Sequence, residues 1–416
     1  MMRPVSDRAI TIEQSLVHLA GGPGHHVWIG EHPPLDFVGL SIRKCTNFRL
    51  SSAHHGKYDT VWYYEESPAQ LQAGQAELVF DELIRLVGSG GRLIVRFRNN
   101  IPHFTIIGLK HLLARRYNTT VTVESESACG GWFTIVFGIR RHGIDRYQSD
   151  RWTFAVLTRG TRVQQVVEFC RSIRGQDPVG RHEILVWGPC NAAYEPFGVT
   201  CHDGHGYRDE LAEISRKKND IAERASCPNL MIVHDRYRID DGFFAGFERF
   251  GYDFDFATVP QRYECGSHFP AYAALEKGVF RMGRSIDCRD YNALRDGQYI
   301  NGGLTIVKTE TLRDLRFNDM LFWNQWEDVE LTHHFRTRGL PPRVNCSSSA
   351  TTLGITPAYT KDFLPERGPM AYVGDVASAV RGGFKSTILA GGKRIERRLR
   401  PVFKKLFEPA RSPAGL

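Results

Sequence analysis

Short, largely apolar runs recur from about residue 152 onward, separated by stretches with the period of an amphipathic helix. The runs are TFAVLTRG (153–160), EILVW (183–187), NLMIV (229–233) and GGLTIVK (302–308). Between the first two, Val163, Val166, Val167, Cys170 and Ile173 share one helical face, and Thr161 is the expected N-cap. Before the third, residues 208–225 read as a helix with Leu211, Ile214, Ile221, Ala222 and Ala225 on one apolar arc. A further helix opens at WEDVELTHHFRTRG (326–339). Alternation of buried strands with amphipathic helices demands a mostly parallel sheet covered on both faces. The fold class is therefore α/β.

The first 150 residues follow the same logic. HVWIG (26–30), DTVWYY (59–64) and RLIVRF (92–97) read as strands, and a helix from about Leu71 to Val87 is expected to stop at Gly88. LKHLLARRY (109–117) reads as a short helix, followed by VTVES and WFTIVFGI, two strands able to pair. At 416 residues the chain is long enough for two or three separate cores.

Charge enters where partners are considered. The net charge of +8 suggests nucleic acid until it is located. From Arg381 onward ten Lys and Arg stand against two Glu, so the remaining body carries 44 basic and 44 acidic residues. A neutral body argues against a nucleic-acid-binding protein. Nine cysteines, odd in number and without a C-x-x-C pair, argue against a disulfide framework or structural zinc and for a reducing compartment. No signal peptide or membrane span is evident, so a cytoplasmic protein is expected.

Three features carry possible chemistry. Lys218 falls inside the apolar arc of its helix, where a lysine either snorkels or meets an anion. The strand NLMIV ends abruptly in His234-Asp235-Arg236. Asp235 there could bind a divalent cation, hydrogen-bond a ribose, or cap a turn. Trp326-Glu327-Asp328 places two acids in a first helical turn, which the helix dipole favours. The aromatic approach, MLFWNQWED, also suits a pocket wall against which a carboxylate works as a base.

TFAVLTRG, KKNDIA, NLMIVHDR, NGGLTIVK and WEDVELTHHFRTRGL, in that order over about 152–360, resemble the GT-A nucleotide-sugar glycosyltransferases of the inverting, family-2-like branch. The resemblance implies that Asp235 is the surviving acid of a D-x-D motif, near the donor's ribose, diphosphate or metal. It implies Asp328 as the base that takes the acceptor's proton and Glu327 as its neighbour orienting the acceptor or shaping the helix start. Trp326 falls on the acceptor side. Thr158 and Arg159 would lie at the nucleotide, and Lys218 and Asn219 near the donor phosphates. Asn301, Gly302 and Gly303 would line the donor-sugar and acceptor space. The implied cofactor is Mn2+ or Mg2+ on Asp235, with His234 a further candidate ligand. Arg236 stands where the family usually has an acid, and its guanidinium could itself neutralise phosphate.

VWIGEHPP, GKYDTVWYYEE and GSGGRLIVRF resemble the class I S-adenosylmethionine methyltransferase fold. The first loop, GEHPPLD, has two prolines where that family places glycines, and prolines remove amide donors. Glu31 and Asp36 are the residues left to touch such a cofactor. A degenerate domain that does not bind S-adenosylmethionine is expected over 1–150, a transferase domain over 151–375, and a basic tail over 376–416. FKSTILAGGKRIERRLRPVFKKLF in that tail suits either an anionic membrane surface, peripheral at the inner face, or a solvated disordered end. The expected function is transfer of a sugar from a nucleoside diphosphate to a saccharide or lipid-linked acceptor, with inversion, in surface polysaccharide or glycoconjugate synthesis. The alternatives are a methyltransferase, alone or bifunctional, and a non-catalytic scaffold.

Overall fold

The computed structural model describes residues 19, 23–30, 32–33, 36–64, 71, 74–98, 105–203, 206–280, 285–289 and 297–360. Glu31, the chain beyond residue 360 and with it the basic tail lie outside the described residues. The described residues belong to one compact unit, built around two Rossmann-like α/β sheets. No helix among them is long and apolar enough to cross a membrane.

The first sheet contains β1 (His26–Ile29), β2 (Val38–Leu40), β3 (Tyr58–Tyr63), β4 (Val87–Arg98), β5 (Thr119–Cys129) and β6 (Trp132–Arg141), with helices α1 (Gln75–Leu86) and α2 (Ile106–Ala114). Its order is β2-β1-β3-β4-β6-β5. The first four strands are parallel, and β6 inserts antiparallel between β4 and β5. The expected helix stop at Gly88 is not where the chain turns. α1 ends at Leu86, and the chain enters β4 at Val87 without an intervening loop. Leu71 is buried but precedes the helix.

The second series runs β7 (Trp152–Leu157), α3 (Val163–Gln176), β8 (Glu183–Trp187), β9 (Thr200–His202), α4 (Ile214–Arg224), β10 (Asn229–His234), β11 (Tyr237–Ile239), α5 (Phe243–Phe250), β12 (Phe256–Thr258), β13 (Gln261–Tyr263), β14 (His268–Phe269), β15 (Tyr272–Leu275), β16 (Ser285–Asp287), β17 (Gln298–Ile300), β18 (Leu304–Lys308), α6 (Thr309–Asp314), α7 (Glu327–Thr337), β19 (Arg343–Val344), β20 (Ala350–Thr352) and α8 (Pro357–Thr360). Its main sheet has the order β19-β12-β18-β10-β7-β8-β9. β10, β7, β8 and β9 are parallel, while β18 runs antiparallel to β10 and β12 antiparallel to β18. The sheet is therefore mostly parallel, as expected, with β18 the one strand that runs against its neighbours.

Every residue of β7 is buried, as a central strand covered on both faces must be. Trp152 packs against Phe243 and Phe247 of α5, with ring centroids 5.7 and 4.7 Å away. Rings of that size dominate core energetics. The α3 face is buried as the spacing predicts, but the helix starts at Val163 after Arg162, so Thr161 is not its N-cap. The stretch 208–225 breaks into a 3-10 turn and α4, which begins only at Ile214.

One pair of cysteines corrects the expectation from their spacing. Cys190 and Cys201 form a disulfide. β8 and β9 are parallel neighbours with Trp187 opposite His202, so the chain just beyond β8 comes alongside β9, and the two Cα atoms lie 5.6 Å apart.

The seam between the sheets is charged. Asp253 meets Arg49 at 2.8 Å and Arg85 at 2.7 Å, and Arg85 also meets Glu82 at 2.7 Å. Asp81 takes Arg116 at 2.6 Å and also Arg343. Arg336 reaches Glu77 at 2.7 Å, and Asp255 accepts from Tyr147 and Arg146. Burial alone would raise Asp81 and Asp253, but the guanidiniums prevail. Arg343 and Arg116 bring Asp81 down to about 2, and Arg49 and Arg85 hold Asp253 well below the carboxylate range.

Candidate active site

The chain leaves β7 for β8 on one side and returns to β10 on the other. Strand order thus reverses between β7 and β10, the switch point at which open α/β sheets form a ligand crevice beyond the carboxyl ends of their strands. Thr158 follows β7 and Asp235 follows β10. The Thr158 hydroxyl donates to Asp235 Oδ2 at 2.9 Å and accepts from the Gly160 amide at 3.0 Å. Arg162 Nε lies 4.0 Å from the other Asp235 oxygen.

β18 pairs antiparallel with β10, placing its amino end at the same edge. There His234 N donates to Gly303 O at 3.0 Å, and Asn301 Oδ1 accepts from Gly303 N at 3.0 Å. The two glycines are required by close approach. A Cβ on Gly302 would stand 2.9 Å from Asp328 Cβ, and one on Gly303 2.9 Å from Tyr237 Oη.

α7 brings the acids to this edge. Trp326 precedes it in the left-handed region with φ 64°, a strained conformation for a bulky residue. Asp328 Oδ2 accepts from Gly302 N at 2.8 Å and Oδ1 from Val329 N at 2.9 Å. Lys218, fully buried, donates to Gly302 O at 3.0 Å and to Glu327 Oε1 at 3.3 Å. The inward lysine therefore meets an anion. Burial, and then the adjacent Glu327 carboxylate, push the half-buried Asp328 carboxyl up to about 7. A carboxyl tuned to that range is suited to taking a proton near neutral pH.

The remaining residues divide. His234 is held neutral, its pKa lowered first by burial and then by Arg236 and Lys218. Its Nε2 is buried without a hydrogen-bond partner among the described residues. Arg236 donates to Tyr359 Oη at 2.7 Å, while its Nε is buried without a hydrogen-bond partner among the described residues. Arg159 is exposed. Asn219 does not face the crevice: its amide donates to Phe317 O at 2.9 Å and Asp319 Oδ1 at 2.7 Å, and its oxygen accepts from Phe317 N. Lys218 likewise acts through Glu327 and Gly302 rather than presenting its ammonium to a ligand. Sequence reasoning missed Arg162 and Tyr359. Arg162 had a signal, a cation just past the loop that ends a buried strand. Tyr359 had none, since α8 reaches Arg236 through tertiary structure alone.

The donor set does not fit a metal ion held by the protein. Asp235 is the one carboxylate among the described residues hydrogen-bonded to Thr158, it is shared with that hydroxyl, Arg162 lies 4.0 Å from it, and Arg236 follows it in the chain. No group of three His, Cys, Asp or Glu among the described residues could hold a metal. Mn2+ and Mg2+ favour several oxygen ligands. Asp36, between β1 and β2 of the first sheet, is exposed.

No protein-family model matches the sequence, and no curated protein matches it. Solved structures match parts of the chain at low identity. The PH0226 protein from Pyrococcus horikoshii OT3 is 14% identical, with a TM-score of 0.25, covering 32% of this chain and 89% of that one. GalNAc-T7, solved with UDP, GalNAc and Mn2+, is 11% identical with a TM-score of 0.36, covering 50% of this chain and 44% of that chain. S. aureus TarS 1–349 is 13% identical with a TM-score of 0.33, covering 61% and 78%.

Proposed function

We propose that the chain transfers a sugar from a nucleoside diphosphate to an acceptor hydroxyl, with inversion, at the crevice between β7 and β10. The observation that carries this reading is the placement of Asp328. A carboxyl raised to about 7 is bonded to the Gly302 amide, one residue from the glycine whose carbonyl is bonded to the strand end bearing Asp235.

The reaction needs two functions on opposite sides of the sugar. Asp328 takes the acceptor O–H proton as the acceptor oxygen bonds to the anomeric carbon. The bond from that carbon to the phosphate oxygen breaks, and the electron pair leaves with the diphosphate. Arg162 and Arg236 lie where that growing negative charge can be met by guanidiniums. Asp235, bonded to Thr158, suits the ribose hydroxyls of the donor. Glu327 raises the base, and Lys218 limits that rise by partly neutralising Glu327. A saccharide or lipid-linked acceptor would enter beside Trp326, with Trp323 and Met320 exposed on the preceding loop.

Thermal stabilisation by UDP, GDP, CMP and dTDP sugars tests this, with and without Mn2+ and EDTA and with S-adenosylmethionine as a separate arm. A ligand at 100 times its dissociation constant adds about 2.7 kcal/mol. A shift from one nucleotide sugar that persists in EDTA and vanishes in Asp235→Ala supports the proposal. A shift with S-adenosylmethionine alone overturns it.

A further inference from the structure

The charged seam encloses a cavity of about 30 Å3, room for a pair of waters or one small ion. Its wall carries five guanidiniums against three carboxylates. Including the adjoining Glu82 and Arg146 leaves the same excess of two positive charges. Asp253 and Asp81 are each shared by two arginines, as described above. Arg141 is the lining guanidinium without a carboxylate contact. Its Nη1 lies 2.7 Å from His55 Nε2, and its Nε is buried with no hydrogen-bond partner among the described residues.

His55 does not supply the missing charge. Burial brings its pKa down to about 4, so near neutral pH the ring is uncharged and its Nε2 can accept from Arg141. Its Nδ1 sits 3.8 Å from Asp253 Oδ2. Burial lowers the Arg141 pKa first; Arg116 and Arg85 act on it as like charges, and Tyr147 and Asp253 offset them in part. A half-buried guanidinium whose Nε is sealed from water favours an anion that returns the lost hydration.

We propose that this cavity binds a small tetrahedral oxyanion, a phosphate or a phosphate monoester group, with Arg141 as its main ligand. The planar fork of a guanidinium matches two phosphate oxygens. The two-charge excess suits a phosphate that is mostly dianionic near neutral pH. The site lies on the seam rather than at the Asp235 edge, so it stands or falls independently of the transfer reaction.

The test is a titration of the full chain with sodium phosphate and, separately, glycerol phosphate, at ionic strength fixed with sodium chloride, reading Tm. Wild type and Asp235→Ala should both show a saturable rise in Tm. The apparent affinity should fall at least tenfold in Arg141→Gln, and by less in Arg141→Lys, which keeps the charge without the fork. A response to phosphate alone assigns the free ion, and a response to both assigns the monoester group. Without ligand, Arg141→Gln should unfold at or above the wild-type Tm, because it relieves the excess charge. Absence of a saturable rise, or equal affinity in Arg141→Gln, overturns the proposal. So does a loss of stability in that variant without ligand, which would make Arg141 part of the seam's own pairing.

Discussion

Replacing Asp328 with asparagine should change how stability depends on pH. The Asp328 carboxyl is raised from 3.8 to about 7, so the folded state holds its proton more tightly than the unfolded chain between those values. For an acid raised in this way, the contribution to stability falls as pH rises through that window. Each pKa unit is worth about 1.4 kcal/mol, so a shift of about three units sets a ceiling near 4 kcal/mol. Asp328 is half-buried, and water screening reduces the expected effect to about 1 to 2 kcal/mol. Asparagine does not titrate there, but its single oxygen faces the two amides, Gly302 N and Val329 N, that the carboxylate serves. That loss costs about 1 to 3 kcal/mol at every pH. Urea unfolding at pH 5 and pH 8, read by tryptophan fluorescence, gives the stability gap between wild type and Asp328→Asn. The gap in favour of wild type should shrink by about 1 to 2 kcal/mol from pH 5 to pH 8. A gap that stays constant or widens would refute the reasoning.

Lys218→Met leaves Glu327 buried without its cation, and urea unfolding should show a loss of about 3 to 5 kcal/mol. Gly303→Ala drives a methyl to 2.9 Å from Tyr237 Oη and should lower stability by about 1 to 3 kcal/mol, with a displaced Asn301–Gly303 turn visible by crystallography. Asp253 is held well below its ordinary pKa, so its contribution is fully present above about pH 4, declines gradually below that, and is lost only as pH falls through the depressed folded value. Asp253→Asn should therefore destabilise the protein at pH 7 and still do so, by a moderately smaller amount, at pH 3, as urea unfolding at the two pH values monitored by circular dichroism would show.

The strand-helix alternation was legible because each element buries a face whose period the sequence displays. EILVW is a strand over the residues expected, and the α3 face is buried. Boundaries failed where local signals competed with packing. Gly88 resembles a helix stop, yet β4 is already pairing at Val87 beside Tyr58, and the parallel ladder takes over. The strand ending in His234-Asp235-Arg236 was found because a polar triplet after a buried run is visible in one dimension. The partners of that triplet were not, since Arg162 and Tyr359 reach it from segments 73 and 123 residues away in sequence. The tail of the chain and Glu31 played no part in these outcomes, being outside the described residues.

Most of the ion pairs in the seam cross from one sheet's segments to the other's, and this bears on dissection of the gene. A fragment beginning at residue 150 would keep Asp253, Arg343 and Asp314 but lose Arg49, Arg85, Asp81 and Tyr117, their partners across the cut. Apolar seams tolerate such cuts when a detergent or fusion partner covers them. This one would be left with unmatched charges facing inward, a defect that soluble expression tags do not repair. The first sheet, whatever chemistry it has or lacks, therefore serves as a counter-ion for the second, and the two should be cloned, transplanted and inherited together.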